Sequence, residues 1–227
     1  MLQDSSKKVS RRRAMAASLG AAGFAALAGQ EASAGPRAGS LKGNKVLVCI
    51  GDFSEGMETY YMVYRLMEEG IKPVVAAPAV KLLQMVVHDF DPQYTNYTEK
   101  LGYMIKVDVA YKDVNPQEYA GLLIPGGRGP EEIRQNKDAL KLVGYFLDKK
   151  LPLGAMCHGP LVLWAARPVK GRRIAAYPGI RADVEQAGAA FVDEAAVVDG
   201  SLVTSRGWPD LPHFMPKFLQ VLGKSRQ

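Results

Sequence analysis

The sequence predicts an α/β fold in which a single domain forms a doubly wound sandwich, with a mostly parallel sheet and helices on both faces. Two observations support this prediction: short apolar runs alternate with longer amphipathic segments, and glycine or proline stands between most of them. Strands separated by helices of this length favour right-handed crossovers and a parallel sheet covered on both sides. A chain of 227 residues is long enough to bury such a core.

The individual elements follow from the apolar pattern and its breakers. Residues 46–50 form a continuous apolar strand, and residues 57–69 form an amphipathic helix that ends at Gly70. Further strands are predicted at 73–77, 121–124, 153–156 and 173–177, with shorter ones near Phe191, Val197 and Val203. Further helices are predicted at 131–150, from 159–160 through 164, at 180–187 and at 211–222.

Three of the predicted strands are followed by residues that can perform chemistry. The segments 52–58, 125–131 and 157–158 carry carboxylates, glycines, a cysteine and a histidine. In open parallel sheets, binding sites lie at the carboxyl ends of the strands. We therefore expect these three segments to line one crevice.

The first 34 residues have the three regions of an export signal. Residues 7–13 are basic, residues 14–28 are mildly apolar, and residues 32–34 form an Ala-Ser-Ala cleavage pattern. The paired arginines predict the twin-arginine route and a periplasmic or secreted location in a bacterium. The alternative is a disordered basic tail. After the signal we expect a linker at 35–44 and one folded domain at 45–224.

Composition excludes several classes of function for the mature chain. Residues 35–227 contain 24 basic and 21 acidic residues, a net charge of +3, without a dense basic patch interleaved with aromatic residues. The sequence therefore predicts no nucleic-acid partner and no membrane span in the mature chain. Cys49 and Cys157 are the only cysteines. Since Cys49 lies inside an apolar strand, we interpret it as a core residue and expect no disulfide.

Cys157 is the strongest candidate for a catalytic residue. It stands where the apolar strand at 153–156 gives way to the helix that opens at Gly159 and Pro160. A small residue two places after a nucleophile permits the tight strand-to-helix turn known as a nucleophile elbow. A thiol at a helix N-terminus faces unpaired backbone N–H groups, so we expect its pKa to be lowered. The alternative, a buried and inert cysteine, is disfavoured by the adjacent His158.

Two carboxylates follow the first predicted strand, at Glu55 and Glu58. Glu58 would start a helix that points at the same crevice as Cys157, and burial there would raise its pKa to a value suited to general acid–base catalysis. The alternative role of Glu58 is to stabilise the helix start by its negative charge. For Glu55 we prefer that structural role.

The loop at 124–131 is rich in glycine, which allows the backbone to approach a ligand closely. We assign the backbone N–H groups of Gly127 and His158 to an oxyanion hole. Glu131 opens the following helix, where it either supplies a first-turn charge or orients His158. A Pro-Gly-Gly turn is by itself a weak indication, because it also marks many ordinary turns.

Histidines also raise the question of a metal. His88 and Asp89, with His158, are potential ligands, but their spacing does not match a zinc pattern. We therefore predict no metal and no cofactor. His213 is interpreted as a helix-start or surface histidine.

Together these residues resemble those of the ThiJ/PfpI superfamily, in its PfpI-like branch, within the class I glutamine amidotransferase-like fold. The resemblance runs from about residue 45 to 222 and rests on the segments 57–59, 123–131, 155–160, 176–181 and 199–205. It implies that Cys157 is the nucleophile and His158 its partner. It also implies that Glu131 reaches that histidine from a neighbouring subunit of a homo-oligomer, and that Glu58 hydrogen-bonds the cysteine.

The segment 79–100 is longer than in the minimal PfpI-like proteases. It resembles the segment found in branches that include glutathione-independent glyoxalases, as does Trp208 with the proline that follows it. An added loop beside the crevice would narrow access and favour small carbonyl substrates. We therefore place Glu55, His88 and Trp208 in the substrate pocket.

The leading hypothesis is a cofactor-independent cysteine enzyme that converts a small reactive carbonyl, such as methylglyoxal, into a hydroxy acid. The Cys157 thiolate would form a hemithioacetal while Glu58 and His158 move protons. A second hypothesis is a peptidase or amide hydrolase that uses the same cysteine through an acyl-enzyme. A third is a non-catalytic, redox-responsive stress protein in which Cys157 becomes oxidised.

Overall fold

The structure is a computed structural model that describes residues 44–225. The predicted export signal at 1–34 lies outside the described residues, and so does the predicted linker except for Asn44. The strands are β1 (Lys45–Cys49), β2 (Lys72–Ala77), β3 (Leu82–Asp89), β4 (Thr98–Lys106), β5 (Val109–Ala110), β6 (Gly121–Ile124), β7 (Leu153–Met156), β8 (Arg173–Ile174), β9 (Ala190–Phe191), β10 (Val197–Asp199) and β11 (Leu202–Ser205). The α-helices are α1 (Gly56–Glu68), α2 (Gly129–Ile133), α3 (Lys137–Asp148), α4 (Leu161–Ala166), α5 (Arg181–Gln186) and α6 (Leu211–Lys224).

The central sheet has seven strands in the order β10–β11–β7–β6–β1–β2–β5. Neighbouring strands are parallel throughout, except that β10 runs antiparallel to β11. The predicted α/β fold with a mostly parallel sheet is thereby confirmed. Because β1, β6 and β7 are adjacent, the segments that follow them meet at one edge of the sheet.

The two faces of the sheet carry separate apolar clusters, which explains the continuous apolar sequence of the central strands. All residues of β6 and β7 are buried. From β1, Leu47 belongs to the cluster that contains Phe146 of α3, while Val48 belongs to the cluster that contains Phe218 of α6. The helices therefore cover both faces.

Cys49 is completely buried at the end of β1, and both cysteines are free thiols. Burial strongly raises the pKa of the Cys49 thiol. The interpretation of Cys49 as a core residue is confirmed.

The single helix predicted at 131–150 is wrong, because the chain forms α2 and α3 instead. The Asn136 side chain accepts hydrogen bonds from the backbone N–H groups of Asp138 and Ala139, at 3.0 and 3.1 Å. This cap satisfies donors at the start of α3 and begins a new helix there. The strand predicted at 173–177 is also shorter, since Ala175 donates its N–H to the Thr204 hydroxyl at 2.9 Å rather than to a strand.

The segment predicted as an added loop is instead part of a β-hairpin, formed by β3 and β4 in an antiparallel pair. Its inner side is apolar, with Leu83, Met85 and Val86 completely buried. Backbone hydrogen bonds attach β3 to the loop after β1: Phe53 N–H donates to Gln84 O at 2.7 Å, and Val86 N–H donates to Ser54 O at 3.0 Å. The hairpin is thereby held over the carboxyl end of β1.

Candidate active site

Cys157 lies at a sharp turn between β7 and α4. Its φ is +57°, a left-handed conformation that L-residues other than glycine adopt at a cost of about 1–2 kcal/mol. Gly159 is required by the same turn, because a Cβ there would stand 2.8 Å from the Met156 carbonyl oxygen. The turn is the strained nucleophile elbow that the sequence predicts.

Glu58 projects from the first turn of α1 and is completely buried. The backbone N–H of Gly126 donates to its Oε2 at 2.6 Å. Its other oxygen, Oε1, has no hydrogen-bond partner among the described residues. A buried oxygen without a partner is costly, so Oε1 is available to hold a proton or a substrate group.

Glu58 and Cys157 face the same small space. A Cβ at Gly126 would stand 2.8 Å from Cys157 Sγ and 2.9 Å from Glu58 Oε2. Burial raises the pKa of Glu58 to about 8, and the charge of Glu55 adds to this effect, while the Gly126 N–H, the Cys157 side chain and the Trp208 backbone N–H oppose it. At neutral pH the carboxyl of Glu58 is therefore mainly protonated. A pKa close to the working pH suits a group that both donates and accepts protons during a reaction.

The expected lowering of the Cys157 pKa is wrong for this geometry. Burial raises the pKa of the thiol well above its usual value, and an ionised Glu58 raises it further. The helix dipole has little influence, because α4 has only six residues and begins four positions after the cysteine. The backbone N–H groups of Gly127 and His158 act in the opposite direction and favour the thiolate.

Those two N–H groups are the ones assigned to the oxyanion hole, and the structure places both beside the thiol. Gly127 has a φ of +75°, which turns the loop after β6 toward the nucleophile. Arg128, the next residue, donates its backbone N–H to Phe53 O at 2.9 Å. The loop is thus fixed against the segment that leads into α1.

His158 is buried beside the nucleophile, with Nδ1 3.4 Å from Cys157 Sγ. Burial lowers the pKa of His158 to about 4; the charge of His88 has the same effect, and Asp183 opposes it. The imidazole is therefore neutral at pH 7. A neutral imidazole can hydrogen-bond the thiol and pass a proton, but it does not form a thiolate–imidazolium pair.

Glu131 lies in α2, is exposed, and lines an open cavity with Asp52 and Arg128. Within the described single chain, no hydrogen bond joins it to His158. Glu131 is expected from the sequence either to supply a first-turn charge or to orient His158. Within a single chain it can have only the first of these roles. Its action across a subunit interface stays a prediction.

The three residues assigned to the substrate pocket have different positions. Glu55 is buried and caps α1 through a 2.7 Å hydrogen bond from the Glu58 N–H, which is the structural role preferred from the sequence. His88 is buried, and its Nε2 lies 2.9 Å from Oε2 of Glu99. Trp208 is half-buried and donates its indole N–H to His88 O at 3.0 Å.

Sequence reasoning missed Gly126, Tyr97 and Tyr177 as parts of the site. Tyr177 donates its backbone N–H to Cys157 O at 3.1 Å, and its ring lies 5.1 Å from the His158 ring. Tyr97 comes from the hairpin and lies 6.0 Å from the same ring. The only sequence signal for these rings is their position, after a strand end for Tyr177 and in the longer segment for Tyr97.

No helix among residues 44–225 has the length and apolar character that a membrane crossing requires. The same residues contain no group of three or more His, Cys, Asp or Glu side chains that could hold a metal ion.

A strained cysteine at the end of a central parallel strand, with a buried carboxyl and two backbone N–H donors around it, defines an α/β protein of the nucleophile-elbow class. The chain belongs to the DJ-1/PfpI family, whose model matches residues 44–221. The resemblance to the ThiJ/PfpI superfamily stated from the sequence is thereby confirmed.

Known relatives cover nearly the whole described domain. An uncharacterized protein of Archaeoglobus fulgidus is 39% identical over 178 residues, which is 78% of this chain and 98% of that protein. A protein of Pyrococcus abyssi named a deglycase is 36% identical over 78% of this chain and 99% of its own length. A two-domain DJ-1/ThiJ/PfpI-like and ferritin-like protein of Anabaena variabilis superposes with a TM-score of 0.68 at 28% identity, covering 79% of this chain and 48% of that one.

Proposed function

We propose that this protein is a cofactor-independent cysteine enzyme that converts a small 2-oxoaldehyde, such as methylglyoxal, into the corresponding hydroxy acid. The observation that carries the proposal is the buried carboxyl of Glu58: its Oε2 borders the same small space as Cys157 Sγ, and its Oε1 has no hydrogen-bond partner among the described residues. A carboxyl with a pKa of about 8 in that position can remove a proton from a carbon atom attached to the sulfur and return it.

The first step joins the thiol to the aldehyde. An S–C bond forms between Cys157 and the aldehyde carbon, the C=O double bond opens, and the thiol proton ends on the oxygen to give a hemithioacetal. The N–H groups of Gly127 and His158 stabilise the negative charge that develops on that oxygen.

The second step moves hydrogen between two adjacent carbons. The Glu58 carboxylate removes the C–H proton of the hemithioacetal carbon, the electron pair forms a C=C bond to the neighbouring carbon, and the ketone C=O opens with its π pair on oxygen to give an enediolate. Glu58 then protonates the neighbouring carbon, while the hydroxyl proton of the first carbon passes to the former ketone oxygen. The first carbon is oxidised by two electrons and the second is reduced by two, so the step balances without an external oxidant or reductant.

The third step releases the product. Water adds to the resulting thioester, the C–S bond breaks with its electron pair on sulfur, and the thiol recovers a proton. The neutral His158, 3.4 Å from the sulfur, is placed to carry that proton. The name deglycase of the Pyrococcus relative supports chemistry on a carbonyl-derived substrate.

Burial favours this proposal over both alternatives. Cys157 and His158 are each only 6% exposed, whereas a peptidase needs an open groove for an extended chain. Redox-sensor cysteines combine a low pKa with exposure, and here burial raises the pKa of the thiol.

The test is steady-state consumption of methylglyoxal by the full chain without glutathione. We expect a kcat of about 1 per second or more, and loss of at least 100-fold in Cys157→Ser and in Glu58→Gln. Cys49→Ala is the matched control, because it removes the other buried thiol, which belongs to the apolar cluster on the other face of the sheet from Cys157, and we expect it to retain activity. Absence of turnover in the wild-type protein, with Cys157 still alkylated by iodoacetamide, would overturn the proposal.

We also propose that Glu131 completes the site of a neighbouring subunit in a homo-oligomer. Cys157→Ser and Glu131→Gln protomers would then each be inactive alone. When they are mixed under exchange conditions, an intact Cys157 from one protomer meets an intact Glu131 from the other, and activity returns. Retained activity of Glu131→Gln on its own would contradict this role.

Finally, we propose export by the twin-arginine route to the periplasm or outside the cell, on the basis of residues 7–34. Fractionation of a bacterial host that expresses the full chain tests this proposal. Substitution of Arg11 and Arg12 together by lysine should retain the protein in the cytoplasm. An unchanged distribution between fractions would argue against this route.

A further inference from the structure

Four aromatic rings form a connected cluster beside the candidate site and are called here the aromatic wall: Phe90, Tyr97, Tyr177 and Trp208. They contact one another, with centroid distances of 5.4 Å for Tyr97–Tyr177, 6.4 Å for Phe90–Tyr177 and 5.8 Å for Phe90–Trp208. Phe90 and Tyr177 also line an open cavity of about 480 Å³ beside the site. Two rings of the wall, Tyr97 and Tyr177, also contact the ring of His158, the residue next to the nucleophile.

Tyr97 is the member of the wall that the hairpin loop brings against His158, the residue next to the nucleophile. Its ring stacks on His88 at 4.1 Å and meets His158 edge-on at 6.0 Å, with an interplanar angle of 79°. Burial raises the pKa of Tyr97, and the charge of Cys157 raises it further.

Side-chain contacts fix the hairpin around Tyr97. Glu99 accepts three hydrogen bonds of 2.8–3.1 Å from the guanidinium of Arg128, which follows the oxyanion donor Gly127. Tyr177 donates its hydroxyl to Asn96 Oδ1 at 3.0 Å. Because these links flank Tyr97 on both sides in the sequence, its ring is held in place by residues of the site itself.

We propose that Tyr97 is a specificity-determining residue, whose ring limits the size of the group that accompanies a carbonyl to Cys157. This inference rests on the proposed function and adds to it the class of substrate: 2-oxoaldehydes with a methyl-sized substituent are accepted, and those with an aryl substituent are excluded. The ring acts as a wall, so its bulk matters and its hydroxyl does not.

The kinetic test compares kcat/KM for methylglyoxal and phenylglyoxal in the full chain. In Tyr97→Ala we expect the ratio of phenylglyoxal to methylglyoxal to rise at least 10-fold, and in Tyr97→Phe to stay within threefold of the wild type. Tyr97→Trp should lower the ratio. Tyr103→Ala is the matched control, because Tyr103 lies in the same hairpin but is 83% exposed, and the ratio should not change.

A second measurement does not depend on turnover. At pH 9 the alkylation rate of Cys157 by iodoacetamide and by N-(1-pyrenyl)maleimide is followed by mass spectrometry for the same variants. We expect Tyr97→Ala to raise the rate of alkylation by the bulky reagent at least 10-fold more than the rate of alkylation by the small one. Equal acceleration of both reagents, or of neither, would overturn the role of Tyr97.

The two measurements separate the two proposals. Suppose that methylglyoxal is not turned over, but that Tyr97→Ala selectively raises the rate at which the bulky reagent alkylates Cys157. The proposed function then fails and the role of Tyr97 stands. If methylglyoxal is turned over and neither ratio changes, the role of Tyr97 fails alone. Should Tyr97→Ala not fold, Tyr97→Trp and Tyr97→Phe still decide the matter, because each changes or keeps the bulk of the ring.

Discussion

The backbone N–H of Gly126 donates to Oε2 of Glu58 at 2.6 Å, so the loop after β6 fixes the carboxyl that opens α1. The same glycine has no room for a side chain, since a Cβ would stand 2.8 Å from Cys157 Sγ. One residue thus sets the distance between the nucleophile and its carboxyl.

Gly126→Ala should therefore abolish most of the activity while the fold persists. The added methyl group would push Cys157 and Glu58 apart, and displacements of this kind cost about 100-fold in rate. Turnover of methylglyoxal and the far-ultraviolet circular dichroism spectrum are the measurements. Gly223→Ala in α6 is the matched control, since nothing lies within 4 Å of its Cβ position, and it should remain fully active. Full activity in Gly126→Ala would show that this spacing is not needed.

The pH dependence of kcat/KM should show a rising limb with a midpoint near 8. Glu58 acts as a base only when ionised, and burial raises its pKa to about 8. The pKa of His158, lowered to about 4, adds no step near pH 6.5. A pH–rate profile of the wild-type protein between pH 3.5 and 9.5 tests this expectation. A midpoint near 4.5 would contradict the role assigned to Glu58.

Stability should respond to the same carboxyl. Because the pKa of Glu58 is raised from 4.5 to about 8 on folding, the folded state binds more protons than the unfolded state between these values. This contribution to stability therefore falls as pH rises from about 4.5 to 8. Glu58→Gln lacks this titrating group, so its free energy of unfolding should not show this fall. The free energy of unfolding of Glu58→Gln, relative to that of the wild type, should therefore be higher at pH 9 than at pH 4 by up to about 5 kcal/mol. Urea denaturation at both pH values measures the difference, and parallel changes in the two proteins would refute it.

The positive φ of Cys157 predicts an unusual order of stability among its variants. In a left-handed conformation glycine is favoured over alanine by about 1 kcal/mol, so Cys157→Gly should be more stable than Cys157→Ala. Cys49 in β1 provides the comparison, since its φ is not positive and Cys49→Gly should be less stable than Cys49→Ala. Thermal unfolding of the four variants gives both orders. The same order at both positions would mean that the elbow is not strained.

Much of the fold was predictable because the central strands are buried on both faces and therefore have continuous apolar sequences, as in β6 and β7. The positions of Cys157 and Glu58 at the carboxyl edge of the sheet could be predicted because both residues come shortly after such a strand in the sequence. The helix break at Asn136 was less visible, since a single polar side chain that caps a helix differs little from one on its surface.

The hairpin and the thiol pKa could not be predicted for a different reason. In β4, Leu101 and Tyr103 are exposed, so the strand lacks the regular burial that produces a clear alternation. The pKa of Cys157 depends on how completely the surrounding loops cover the sulfur, and that covering comes from segments distant in sequence. Tyr97 was missed because its neighbours His88 and His158 meet only in three dimensions.

The hairpin is one uninterrupted stretch of chain, whereas the reacting groups come from three segments that follow separate strands of the sheet. A change in its length or sequence can therefore alter which molecules arrive at the sulfur without moving the groups that react. Exchange of residues 82–106 between related proteins should transfer the range of accepted substrates. The reaction itself should stay the same, because the groups that react follow strands of the central sheet and are not exchanged. Selectivity and chemistry can then evolve on separate parts of the same gene.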